Sequence, residues 1–142
     1  MVKLNSYAPS YACIPLCRGQ PHPNWVWSIY IYGQDAQNSG SAGQVQVSGF
    51  VRGSHTHTQL SPVSVALSLN QEYRIKWSYS ELNGGELWIN DQSQGAVPYC
   101  GPLDTTRASV DAVSVNTLPY QATRYHSIID GTVSHVRHEE NS

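Results

Sequence analysis

The chain has 142 residues, 13% of them charged, and a net charge of −2. This length suits one domain with a core of its own, and the cations are too few and too scattered to neutralise a run of phosphates, so no nucleic-acid partner is expected. No stretch approaches the roughly 20 apolar residues of a membrane-spanning helix, and no run of like charge marks a tail or a membrane-surface patch.

In chain order, residues 1–23 are Pro-rich and read as an irregular lead-in laid over the domain. Their start, "MVKLNSYAPSYACIPLC", has one Lys, but Ser, Pro and Tyr interrupt any apolar run, so a secretory leader is not expected. Period-two alternation then predicts strands. "WVWSIYIY" (25–32) puts Trp25, Trp27, Ile29 and Ile31 on one face, with Tyr30 and Tyr32 on the other. "QVQVSGFV" (44–51) and "VSVALSL" (63–69) follow, the latter with Val63, Val65, Leu67 and Leu69 in phase. "EYRIKWSY" (72–79) alternates Tyr73, Ile75, Trp77 and Tyr79 with Glu72, Arg74, Lys76 and Ser78. "ELNGG" (81–85) reads as a hairpin turn into "ELWIND" (86–91), and further strands are predicted over 108–116, 120–129 and 131–137. Gly, Pro, Asn and Ser clusters punctuate the runs at 33–43, 60–62, 83–85 and 99–104.

No window carries helical periodicity, and no repeat or domain boundary is visible. The expectation is a single all-β domain over residues 1–142, an antiparallel sandwich with little helix and a frayed tail at 138–142. Its predicted core is Trp25, Trp27, Ile29, Val65, Leu67, Ile75, Trp77, Leu87, Ile89, Val133 and Val136.

Two segments add a resemblance. "YRIKWSYSELNGGELWINDQSQGAV" resembles a recurrent hairpin of the laminin-G-like, concanavalin A-like jelly rolls, and "IIDGTVSHVRH" resembles their closing strand. Together the two span about a quarter of the chain, and they speak to the fold rather than to the function. The resemblance implies a jelly-roll sandwich. It also implies a family in which loop carboxylates often hold calcium and a sheet face or rim often binds glycans. Asp91 and Asp104 are the only plausible loop acids nearby, and the galectin-type His-x-Asn-x-Arg sugar motif is absent.

Candidate sites start from aromatics. Nine Tyr and four Trp stand against one Phe, a skew toward rings with an apolar body and a polar tip that suit half-buried binding faces. Trp88 alternates away from Leu87 and Ile89. If Trp77 faces the core, the hairpin register brings Trp88 beside Lys76 or Ser78, with Arg74 and Asn90 on the same face. A flat ring bordered by such groups can stack a pyranose and bond its hydroxyls. The plainer alternative is a face covered by the lead-in or by a neighbouring subunit. Tyr30 and Tyr32 either extend the binding face or pack under the loop at 33–43.

The remaining constellations are weaker. His55 and His57 in "SHTHT" have a metal-compatible spacing, but no carboxylate follows, and His135 and His138 add no third ligand. They read as polar strand residues, and no metal or cofactor is expected. The odd cysteine count, Cys13, Cys17 and Cys100, allows at most one internal disulfide; buried free thiols are the first expectation and a bridge from Cys100 to one of the others the second. No clustered acids suit a glycosidase. There is no Gly-x-Ser-x-Gly elbow, and nothing orients Cys100 toward His126. An enzyme is not expected. The sequence therefore points to a lectin-like glycan-binding domain, or alternatively to a viral or phage surface or attachment domain that forms a homo-oligomer through its sheet faces.

Overall fold

The computed structural model describes residues 1–19, 25–36, 39–107, 113–115, 126–127 and 129–139. Its strands in chain order are β1 (Val2–Leu4), β2 (Ala12–Gly19), β3 (Trp25–Tyr32), β4 (Val45–Gly49), β5 (Thr58–Gln59), β6 (Glu72–Tyr73), β7 (Ile75–Ser80), β8 (Gly84–Ile89) and β9 (Gln92–Val97). After a single 3-10 turn at Thr105–Arg107 come β10 (Val113–Val115), β11 (His126–Ser127) and β12 (Gly131–Val133). The fold is an all-β sandwich, as the alternation predicts. A six-stranded sheet, β10-β2-β3-β4-β5 with β11 beside β2, faces two three-stranded sheets, β12-β1-β6 and β7-β8-β9. All pairs are antiparallel except β11 with β2.

The main core fills the space between the layers. Trp27, Ile29, Ile31, Val45 and Val47 of the large sheet meet Val2, Leu4, Leu87 and Ile89 of the small ones, with Ile75, Trp77 and Val133 half-buried at its margin. The two small sheets share one run of chain: β6 pairs with β1, and β7, one residue later, pairs with β8. The break falls at Arg74, whose backbone the site described below holds in place.

Several expectations are corrected. The lead-in is not irregular: β1 and β2 lie within residues 1–23. Pro15 is compatible with β2 because the register slips between Cys13 and Leu16, so that Ile14 and Pro15 stand opposite Tyr30 alone. A bulge is where a strand can accommodate the missing N–H of proline. A second slip leaves Val26 of β3 as the extra residue between Trp27 and Trp25. It turns Trp25 to the far face, where it packs on Phe50 at 4.8 Å and Tyr30 at 6.3 Å rather than beside Trp27.

Residues 63–69 form no strand, and Val65 is 61% exposed. Ser61, Ser64 and Leu67 are the buried residues, a period of three like that of a polyproline II helix. The segment still lines β4. Leu60, Ser64 and Leu67 donate their N–H groups to the carbonyls of Val47, Val45 and Gly43. In return the hydroxyls of Ser61 and Ser64 accept the N–H of Val47 (2.8 Å) and Val45 (2.9 Å), standing in for backbone carbonyls. At the C-terminal end, regular pairing stops at Val133, and Val136, expected in the core, is 41% exposed. Of the predicted strands 108–116 and 120–129, only Val113–Val115 and His126–Ser127 are described in strand pairing; residues 140–142 of the predicted tail lie outside the described residues.

Candidate functional site

The outer face of β7-β8-β9 is built by two tight turns. The β7-β8 hairpin closes through the three-residue loop Glu81-Leu82-Asn83 with Gly84 at φ 69°, and Asn83 N–H donates to Ser80 Oγ at 3.0 Å. A glycine in the left-handed region is what such a loop requires. The β8-β9 hairpin closes through Asn90-Asp91, at φ 51° and 65°, the positive pair of a type I′ turn. β9 was not among the predicted strands. "QSQGAV" does not alternate, and a slip between Glu86 and Trp88 in its pairing with β8 leaves Gln94 and Gly95 opposite Leu87, with Gly95 at φ 104°.

This scaffold sets Lys76 directly across from Trp88, and Ser78 across from Glu86. Trp88 is half-buried, like Trp77 on the other face, and the Lys76 ammonium lies 4.6 Å from its ring centroid. Such a contact contributes about 0.5–1 kcal/mol at an exposed site. On the next strand Ser93, the partner of Trp88, donates its hydroxyl to Glu86 at 2.8 Å. Neither Glu86 nor Ser93 stands out in the sequence, because their meeting depends on the slip in β9.

Asn90 has a different task from the one its sequence suggests. Its Oδ1 accepts the N–H of Arg74 at 2.8 Å, and its own N–H donates to the Arg74 carbonyl at 2.9 Å. Asn90, through one side-chain and one backbone bond, thus extends the β7-β8 ladder across the break after β6. The Arg74 guanidinium reaches Asp91 at 3.3 Å, with side chains 63% and 72% exposed, so this pair adds little stability. Asp91, a candidate calcium ligand by resemblance, therefore has a cation beside it. Asp104, the other, accepts from Thr106 N–H at 3.2 Å and caps the 3-10 turn.

Four of the six predicted ligand-binding residues, Arg74, Lys76, Trp88 and Asn90, gather on this corner. Tyr30 and Tyr32 do not. They are 9% and 2% exposed, on the opposite face of the large sheet with Ala12, Ile14, Trp25, Ala36 and Phe50. Tyr32 donates to Gln46 Oε1 at 2.5 Å and meets Tyr11 edge-on. They are core residues, and burial pushes both phenols far above their ordinary range.

The other constellations resolve as packing. His55 and His57 are both exposed, and the His57 ring lies 6.0 Å from Trp25 and 6.3 Å from Phe50. Among the described residues no group of three His, Cys, Asp or Glu side chains could hold a metal ion. No disulfide joins the three cysteines. Cys13 and Cys17 are buried, whereas Cys100 is exposed, contrary to the expectation of a buried thiol. β11, which carries His126, pairs with β2 rather than with the Cys100 loop. On the inner face of β7-β8-β9, Trp77 donates Nε1–H to the Leu60 carbonyl at 2.9 Å and lies 5.5 Å from Trp27. No protein-family model matches the chain, and no curated protein or solved structure does either.

Proposed function

We propose that this domain binds glycans without transforming them, and that Trp88 is the ring on which a sugar stacks. The observation that carries this reading is a half-buried indole turned to the outer, otherwise polar sheet face, bordered by an ammonium and by the hydrogen-bonded pair Glu86 and Ser93. The C–H face of a pyranose packs on an indole, and planar carboxylate and guanidinium groups suit vicinal hydroxyls. Lys76 shares the ring in the free protein. On binding it slides off the face and bonds a hydroxyl at the rim, as its flexible four-carbon stem allows. Arg74 and Asp91 form the outer rim, and Asn90 holds the corner rather than the sugar.

A glycan array probed with wild type and with Trp88→Ala tests this. The expected result is binding by the wild type and its loss in the variant, with the far-ultraviolet spectrum unchanged. No bound glycan on a broad array, or undiminished binding by Trp88→Ala, would overturn the proposal.

A second reading, a surface or attachment domain that assembles with copies of itself, is favoured by one observation: Leu82 is 90% exposed at the tip of a tightly closed hairpin.

A further inference from the structure

The molecule carries an apolar knob at one end of β7 and an apolar hole at the other. Leu82 is the most exposed of the large apolar side chains among the described residues. Isolated exposed leucines are ordinary. This one, however, projects from a loop braced by the Ser80–Asn83 bond and by Gly84, so it is presented rather than left trailing.

The hole is a cavity of about 80 Å³ between the two layers. Leu16 and Ile29 of the large sheet line it on one side and Val2, Ile75 and Val133 on the other, and the exposed Val136 lines it toward solvent. A space of roughly 10–15 Å³ already admits a water, so this one accepts a branched aliphatic side chain. The charged or titratable side chains that line it, His135 and Arg137, are basic, and no acidic side chain does so among the described residues. Arg137 is shared with Glu139, an exposed pair that exchanges readily with another carboxylate. Glu81, the exposed residue beside Leu82, supplies one.

β7 joins the two features. Ile75 opens the strand in the wall of the hole, and Ser80 ends it two residues before Leu82. At about 3.3 Å per residue, knob and hole lie roughly 20 Å apart on one molecule. A contact between different patches of identical chains is heterologous and repeats head to tail.

We propose that Leu82 of one copy seats in the cavity of a second copy, with Glu81 beside Arg137 and His135, and that copies join end to end. This deepens the second reading above and rests on its premise of self-assembly. A single seated leucine is a small interface, so the contact is weak and populates at high concentration.

Sedimentation velocity on the full chain from micromolar to millimolar concentration tests it, with two variants at exposed positions checked for folding by circular dichroism. Leu82→Asp removes the knob, and Val136→Trp fills the mouth of the hole. The wild type is expected to grow beyond a dimer with concentration, and each variant alone to remain monomeric. An equimolar mixture of the two should form one-to-one dimers and nothing larger, since one supplies the hole and the other the knob. A wild type that stays monomeric overturns both this contact and the second reading. Self-association that survives either variant, or a mixture that fails to pair, leaves the second reading standing and overturns this contact.

Discussion

Trp77 and Trp88 sit one register step apart on opposite faces of the same hairpin, and truncating them should have opposite consequences. Trp77 packs against Trp27 at 5.5 Å and stacks with Tyr79 at 6.0 Å, and it supplies a donor to the carbonyl of Leu60, a fully buried residue. Removing a buried tryptophan side chain costs about 3–5 kcal/mol. Trp77 is only half-buried, which sets the packing loss near the lower end, and the orphaned Leu60 carbonyl adds about 1–3 kcal/mol. Trp77→Ala should therefore cost about 4 kcal/mol, a large part of the 5–15 kcal/mol a domain typically holds. Trp77→Phe keeps most of the ring contact and loses the donor, so about 1–2 kcal/mol is expected. Trp88→Ala forfeits the lysine contact and partial cover, about 1 kcal/mol or less. Urea unfolding followed by far-ultraviolet circular dichroism ranks the three without relying on tryptophan emission. If Trp88→Ala costs as much as Trp77→Ala, Trp88 is packing and the outer face is not a free surface. If Trp77→Phe costs nothing, the Leu60 bond has no weight in holding the 60–67 segment to the sheet.

Three further outcomes are expected. A Cβ at Gly85 would lie 1.8 Å from the Leu60 carbonyl oxygen, so Gly85→Ala must push apart two backbone segments and should cost about 2–4 kcal/mol in the same unfolding assay, against about 1 kcal/mol for Gly53→Ala, which meets no atom within 4 Å but sits at φ 84°. Asn90→Ala loses the bond to Arg74 and keeps a Cβ at φ 51° without the local bonding by which Asn tolerates it, so it should be about 1 kcal/mol more damaging than Asn90→Gly, which loses the bond but has no Cβ; equal losses would contradict the turn described for Asn90-Asp91. Burial pushes the Cys13 thiol from 9.0 up to about 12 and Cys17 up to about 11. The unfolded chain then ionises these thiols while the folded one holds their protons, so stability is fully present below about pH 9 and falls as pH rises from there toward 12. A urea midpoint that stays level between pH 8 and pH 11 would contradict this; in the native protein at pH 8, only Cys100 should react promptly with a thiol reagent.

Much of the fold was legible because alternation and burial agree wherever a strand is flat. β3 spans the predicted 25–32, with Trp25 alone turned off its predicted face, β4 and β8 lie within two residues of their predicted runs, and the run 72–79 is divided at Arg74 into β6 and β7. The failures have local causes. Proline at position 15 reads as a strand breaker unless a bulge is foreseen, and a bulge is a two-strand property that one strand's sequence does not carry. β9 depends on Asn90-Asp91 closing a turn behind it. Asn and Asp tolerate positive φ, so the dipeptide was a usable signal, but it looked like the end of a strand instead. The 63–69 segment shows the reverse error. Val63, Val65, Leu67 and Leu69 alternate, yet Ser61 and Ser64 turn inward to accept β4 N–H groups, and a period of three prevails over a period of two.

The site divides in the same way. The outward turn of Trp88 and its pairing with Lys76 follow from parity, since Trp77 and Leu87 face the core together. Asn90 could not be assigned by parity, because a positive φ redirects its side chain into the backbone of Arg74. The error over Tyr30 and Tyr32 is the most instructive. Alternation states which residues share a face, not whether that face is wet. Charge carries that second fact. "WVWSIYIY" holds no charged residue, and every residue of β3 is buried, because the strand lies inside the large sheet with packing on both sides. The run 72–78, "EYRIKWS", spends every other position on Glu72, Arg74, Lys76 and Ser78, and Glu72, Arg74 and Lys76 are exposed. An aromatic that alternates outward is a candidate ligand platform only where its own strand or the one paired with it also carries charge. Trp88, between Glu86 and the Lys76 opposite, meets that condition, whereas Tyr30 and Tyr32 do not.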